Sequence, residues 1–145
     1  MYSDDFYMRK ALCEARAAAD KGEVPVGAVI VAQNRIIARG HNLVEALNDV
    51  TAHAEMQAIT AAAEYLGGKY LNECTIYVTL EPCMMCAGAL YWAQIARIVY
   101  GANDKKRGYT LSPVSPLHPT TQVTSGIIEE ECSDILTDFF KKKRK

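Results

Sequence analysis

CTIYVTLEPCMMCAGALYWAQIARIVYGA, residues 74–102, reads as strand, turn, helix and strand again. CTIYVTL is rich in β-branched and large apolar residues, the composition of a buried strand. Pro82 breaks it and suits the first turn of a helix, so CMMCAGALYWAQI is expected to be helical and ARIVYGA to return to the sheet. Two cysteines, Cys83 and Cys86, stand at the junction of strand and helix.

Working outward, TAHAEMQAITAAAEYLGG (51–68) is an alanine-rich helix stopped by Gly67-Gly68. Before it, VPVGAVIVAQNRIIARGHN predicts two strands, Val24–Ala32 and Arg35–Gly40, joined at Gln33-Asn34. From Ser3 to Lys21 the apolar residues form a helical stripe, with Ser3 as N-cap and Gly22 at the stop. On the other side, residues 104–121 hold three prolines and no periodicity, a loop long enough to suggest a functional one. TQVTSGI is a short strand or a connector. The last segment is an amphipathic helix whose face carries Ile127, Ile128, Cys132, Ile135, Leu136, Phe139 and Phe140. No repeat, linker or second domain interrupts this order, so residues 1–145 are expected to form a single domain with a basic tail at 141–145. The element order implies an α/β fold, a three-layer α/β/α sandwich around a central mixed sheet of about five strands.

Half of the 145 residues are hydrophobic and 23% are charged, a composition suited to a globular chain. The N-terminal MYSDDFYMRKAL has neither the basic region nor the apolar run of a secretion signal. No window reaches the roughly 18 apolar residues of a membrane span. A cytoplasmic location with reduced thiols and no membrane partner is therefore expected. Cys13, Cys74 and Cys132 are isolated and read as small buried apolar residues. The net charge of −1 combines +5 on the terminal KKKRK with −6 over everything before it. Such a tail is either a solvated end suited to a helix C-terminus or an attraction for a polyanion.

A Cys-x-x-Cys pair serves a disulfide, a redox dithiol, a closed structural zinc or an open catalytic zinc. The expected compartment disfavours the first. A redox dithiol also begins a helix after a strand. A closed four-thiolate site needs a second cysteine pair, and the other three cysteines are too scattered to supply one. Two thiolates and one histidine, with the fourth position open, match a catalytic zinc. Of the three histidines, His53 lies two residues before Glu55 in TAHAEMQAI. Residues so spaced in a regular helix point about 200° apart, so both reach one site only if the helix meets that site end-on. His53-Ala54-Glu55, then 26 residues holding one helix and one strand, then Pro82-Cys83 and Cys86 point to one Zn²⁺ per subunit. His53, Cys83 and Cys86 would be its ligands and Glu55 an unligated proton carrier. A lone His-x-Glu would more often be a helix-start charge pair; the whole constellation carries the reading.

HAE followed by PCxxC resembles the zinc-dependent cytidine/deoxycytidylate deaminase family. VPVGAVIV, GHN, TAHAEMQAI, LEPCMMCAGAL, IVYGANDKKRG and ECSDILTDFFKKKRK are most similar to its bacterial tRNA-specific adenosine deaminases. That resemblance implies a cytidine-deaminase-like fold, a homodimer and hydrolytic conversion of adenosine to inosine at the wobble position of a tRNA anticodon loop. It also implies roles for individual residues. Asn42 would hydrogen-bond the flipped base, Val26 and Leu80 would line its pocket, and the Ala54 N–H would contact the purine. Asp104 would sit near the ribose and Lys106 near the backbone phosphates. Lys105, Arg107, Lys142, Lys143 and Arg144 become candidate RNA backbone contacts. After Gly108 the sequence YTLSPVSPLHPTTQ departs from the pattern expected of the family; Tyr109 and His118 there either stack on bases or pack the loop. Tyr91 and Trp92 are read as core or dimer interface. Two rival functions share these motifs: deamination of free bases or nucleosides, of guanine or cytosine type, and a non-catalytic zinc-stabilised RNA-binding module.

Overall fold

Alternation along three neighbouring strands sends side chains into two separate cores. The computed structural model describes residues 2–143. The central strands are β1 (Gly27–Ala32), β3 (Thr75–Leu80) and β4 (Arg97–Ala102), flanked by β2 (Arg35–His41) and β5 (Gln122–Ser125). Ala28, Ile30, Ile76, Val78, Ile98 and Tyr100 face one side, where they meet α3 (Ala54–Leu66) and α4 (Met84–Ala93). Val29, Val31, Tyr77 and Val99 face the other, against α1 (Asp4–Asp20) and α5 (Glu129–Lys143). Because a strand's side chains alternate, hydrophobic runs of this kind require helices on both faces. The result is the three-layer α/β/α sandwich.

The sheet order is β2-β1-β3-β4-β5. β1 pairs antiparallel with both β2 and β3, while β3–β4 and β4–β5 are parallel, so the sheet is mixed. TQVTSGI is thus a true strand, added to the edge beyond β4. The carboxyl ends of β3 and β4 leave the sheet side by side, the place where α/β sheets bind ligands.

Local boundaries differ from expectation in instructive ways. β1 begins at Gly27, not Val24: the Val26 N–H bonds back to the Val24 carbonyl at 2.8 Å, a tight turn rather than a ladder. α4 ends at Ala93 because Gln94 adopts a left-handed conformation, φ 57°. Pro82 stands one residue outside the α4 N-cap, not within the first turn. A four-residue helix, α2 (Val44–Leu47), forms where the sequence shows no helical period. Within 104–121 only a single 3₁₀ turn forms, at Tyr109–Leu111. Cys74 and Cys132 are buried as expected, but Cys13 lies on the exposed face of α1.

Two close approaches position the site. Gly40 faces the first turn of α3, and a Cβ there would stand 2.6 Å from the Ala54 carbonyl oxygen and 2.8 Å from the Ala58 nitrogen. The Gly27 N–H donates to Thr79 Oγ1 at 3.2 Å, which brings the start of β1 beside the end of β3. No helix among the described residues is long and apolar enough to cross a membrane.

Candidate active site

His53 is the N-cap of α3 and Cys83 the N-cap of α4, both with extended backbone angles. Neither side chain caps its own helix, so both are free to turn toward a common point. This resolves the two-residue spacing: His53 is the extended N-cap, whose carbonyl accepts the first helical bond from Gln57, while Glu55 lies within the first turn. His53 Nδ1 lies 3.6 Å from Cys83 Sγ and 3.5 Å from Cys86 Sγ. All three ligand atoms fall within 4.8 Å of one another. Two helix N-termini, with their unpaired N–H groups, therefore aim at a cluster of sulfur and nitrogen, where their dipoles favour negative charge.

The donor set fits a metal. Zinc bonds of about 2.3 Å to sulfur and 2.0–2.1 Å to nitrogen, at tetrahedral angles, place S and N about 3.6 Å apart. The observed separations match that edge. Two thiolates neutralise a dication, and the imidazole adds a third ligand without charge. Cys86 is fully buried and Cys83 half-buried, and of the two only Cys83 lines the cavity above the cluster.

Charges are unevenly distributed over this cluster. The Cys83 thiol is lowered to about 4, first by a hydrogen bond from Cys86 and then, against the opposing effect of burial, by His53. Cys86 is pushed far up by that same hydrogen bond and by burial. His53 is raised, chiefly through its hydrogen bond with Cys83. Both sulfurs would bind a metal as thiolates, giving up their protons on ligation. Glu55 is 4% exposed, and burial pushes its carboxyl up to about 7. A carboxyl in that range near neutrality can both take and give a proton.

A cavity of about 910 Å³ lies over the cluster. Val26, Asn42, His53, Ala54, Glu55, Leu80 and Cys83 form its inner part, and Asp104, Lys105, Lys106 and Arg107 border it. Val26 and Leu80 are the sequence neighbours of Gly27 and Thr79, whose hydrogen bond sets both beside the cavity. The Asn42 side-chain carbonyl accepts from the Val44 N–H at 3.2 Å, and its amide donates to the Val24 carbonyl at 3.4 Å. Asp104 Oδ1 accepts from the N–H groups of both Lys106 and Arg107 at 3.0 Å.

The rim has one contributor from the far layer. Ser133, Leu136, Phe140 and Lys143 of α5 also border the cavity, and the Lys143 ammonium lies 5.4 Å from the Phe139 ring centroid. Lys142 is exposed but away from the cavity, and Arg144 lies outside the described residues. Tyr109 is buried against Tyr100, and His118 packs beside Tyr91 with its Nδ1 accepting from Thr120. Both pack the loop, and neither lines the cavity. Trp92 is 77% exposed and Tyr91 37%, which corrects the core reading of these two residues.

Two buried carboxylates escaped sequence reasoning. Glu23 is 1% exposed and accepts from the Glu45 and Ala46 N–H groups at 2.9 and 2.7 Å, capping the first turn of α2. Glu81, 3% exposed, accepts from the Asp104 N–H and from Thr110. Only the position of Glu81, a charge placed directly after a buried strand, could have hinted at a role.

The MafB19-like deaminase family model matches residues 2–144. The tRNA-specific adenosine deaminase of Agrobacterium fabrum is 48% identical, over 95% of this chain and 94% of that protein. The tRNA-specific adenosine deaminase of Bacillus subtilis is 45% identical, over 100% of this chain and 93% of that protein. A solved structure from a study of A-to-I editing by tRNA:A34 deaminases at the wobble position superposes with a TM-score of 0.85. It is 46% identical, and the match covers 90% of this chain and 99% of that one.

Proposed function

The chain belongs to the MafB19-like deaminase family, and from that premise we propose that it converts adenosine to inosine at the wobble position of a tRNA anticodon. The reaction consumes one water and releases one ammonia. The observation that carries it is a buried carboxyl, Glu55, beside a His–Cys–Cys cluster at the floor of a cavity bordered by Lys105, Lys106, Arg107 and Lys143. Relatives named as tRNA-specific adenosine deaminases match nearly end to end.

One zinc ion per subunit, held by His53, Cys83 and Cys86, would supply Lewis-acid activation of water. The residues of the chain do the rest. Glu55 takes one proton from the attacking water and passes it to a ring nitrogen of adenine, then takes the remaining hydroxyl proton and gives it to the amine, which leaves as ammonia. Val26 and Leu80 hold the flipped base between apolar walls, and Asn42 and the Ala54 N–H read its polar edge. Asp104 faces the ribose, and Lys106 the phosphates. Lys105, Arg107, Lys142, Lys143 and Arg144 add backbone attraction that carries no sequence information. An anticodon loop suits such a site because a single-stranded base leaves its stack for a few kcal/mol at most.

The 145 residues act as a single deaminase domain, cytoplasmic, with its reduced thiols available for metal. The exposed Met84, Met85, Tyr91 and Trp92 along α4 supply an apolar face suited to a homodimer. A neutral free base would need neither the cationic rim nor the tail, so deamination of guanine or cytosine is not favoured. Incubating purified protein with a tRNA pool and sequencing for inosine tests the reading. Turnover of guanine, cytosine or cytidine with an anticodon stem-loop left unmodified would reject it.

A further inference from the structure

We propose that Glu81 is a positioning residue whose buried carboxylate fixes the 103–110 rim loop against the turn that carries Cys83. Resting on the tRNA-deaminase reading, this assigns the placement of Asp104 and Lys106 to a group in the cavity wall that stands outside the His53–Cys83–Cys86 cluster.

Glu81 immediately follows β3 and is 3% exposed. Its Oε1 accepts from the Asp104 N–H at 3.0 Å, and its Oε2 accepts from the Thr110 N–H at 2.9 Å and the Thr110 hydroxyl at 2.7 Å. The two ends of the rim loop are therefore gathered on one carboxylate. Buried charge is tolerated only with partners of this kind, and hydrogen bonds to an ionised acceptor are roughly twice as strong as neutral ones. Gly108 lies directly over the carboxylate, so close that a Cβ there would collide with it.

The same turn is tied to the metal side by backbone. Cys83 and Gly108 form an isolated antiparallel bridge, and the Tyr109 N–H donates to the Pro82 carbonyl at 3.0 Å. Asp104, once fixed at its N–H by Glu81, organises Lys106 and Arg107 through its own carboxylate. The chain of placement thus runs from Glu81 through Asp104 to the cationic rim. The His53–Cys83–Cys86 cluster keeps its own anchors in the two helix starts, with the Cys83–Gly108 bridge and the Tyr109–Pro82 bond linking it to the rim loop.

The test compares wild type, Glu81→Gln, Thr110→Val and the double variant on an anticodon stem-loop RNA. Steady-state kinetics, zinc content and amide hydrogen exchange are read for each. Replacing an acceptor oxygen by NH₂ opposes donor to donor. Glu81→Gln is expected to raise KM about tenfold while kcat stays within about threefold, the signature of lost uniform binding. Zinc stays stoichiometric, and amides of 103–110 exchange at least about tenfold faster while those of α4 do not change. Thr110→Val, which removes one of the three bonds, gives a smaller change in the same direction and adds little to Glu81→Gln. Unchanged KM and loop exchange, or zinc lost from Glu81→Gln, would overturn the proposal. Should Glu81→Gln fail to fold, Thr110→Val at an exposed residue decides by the same readouts. Failure of wild type on the stem-loop would sink the tRNA reading alone, since loop exchange still reports on positioning.

Discussion

The guanidinium of Arg97 grips Asp4 with two parallel hydrogen bonds, 2.9 Å to Oδ1 and 2.7 Å to Oδ2. It joins the first turn of α1 to the start of β4. The Tyr77 hydroxyl donates to Asp4 Oδ1 at 2.8 Å, and Arg97 also reaches Thr124 Oγ1 of β5 at 3.0 Å. One helix start is thereby fastened to three strands.

Asp4 is held below its ordinary value, first by the Arg97 hydrogen bond, against a smaller effect of burial, with Tyr77 adding to the lowering. A carboxyl depressed on folding stabilises the native state fully above its unfolded value and loses that contribution as pH falls toward the folded one. Asp4→Asn is expected to flatten the acid limb of stability between about pH 5 and pH 2. Urea unfolding followed across that range checks it; equal slopes for variant and wild type would disprove the pairing.

Glu55→Gln keeps shape and removes proton transfer. The variant should bind zinc normally, unfold at the same or a higher temperature because a buried carboxyl has gone, and lose about 10²–10⁴-fold in kcat. Metal analysis beside single-turnover deamination separates this from a folding defect. Near-normal turnover would end the proton-carrier role.

Gly40 permits α3 to approach the sheet. Gly40→Ala inserts a Cβ against the Ala54 carbonyl and Ala58 nitrogen, and rigid backbone cannot yield as a side chain would. Overpacking of this type costs about 1–3 kcal/mol. Thermal unfolding should show a lower midpoint, and competition with a chelator should show weaker zinc retention, because His53 moves with the helix start. A variant with unchanged metal retention would mean that the helix can shift without disturbing its cap.

Removing residues after Phe140 strips the lysines at 141–143, including Lys143 at the rim. Binding to an anticodon stem-loop should weaken, and the slope of log K against log salt should become shallower by about 0.7 for each phosphate that the tail had neutralised. Zinc content stays constant. A slope identical to that of the full chain would exclude the tail from RNA binding.

The chemistry-bearing residues were legible because residue type and spacing carry their meaning locally: His53, Glu55, Cys83 and Cys86 sit at helix starts that alanine runs and Pro82 announce. The two cores were legible from strand alternation. α2 was not, since the donors of its first turn are satisfied by Glu23, about 20 residues earlier in sequence. Glu81 was hidden for the same reason: a carboxylate's purpose depends on donors that only the folded chain delivers. β5 is four residues long and mostly exposed, so no period could separate strand from connector. Cys13 misled because a small thiol carries no sign of which side of α1 it occupies.

His53 and Cys83 lend their helices only a backbone carbonyl, bonded to the Gln57 and Ala87 N–H groups, and their side chains take no part in the ladders. Scaffold and reagent are accordingly separable: stripping the ion should silence the enzyme while its far-ultraviolet dichroism stays that of the intact fold.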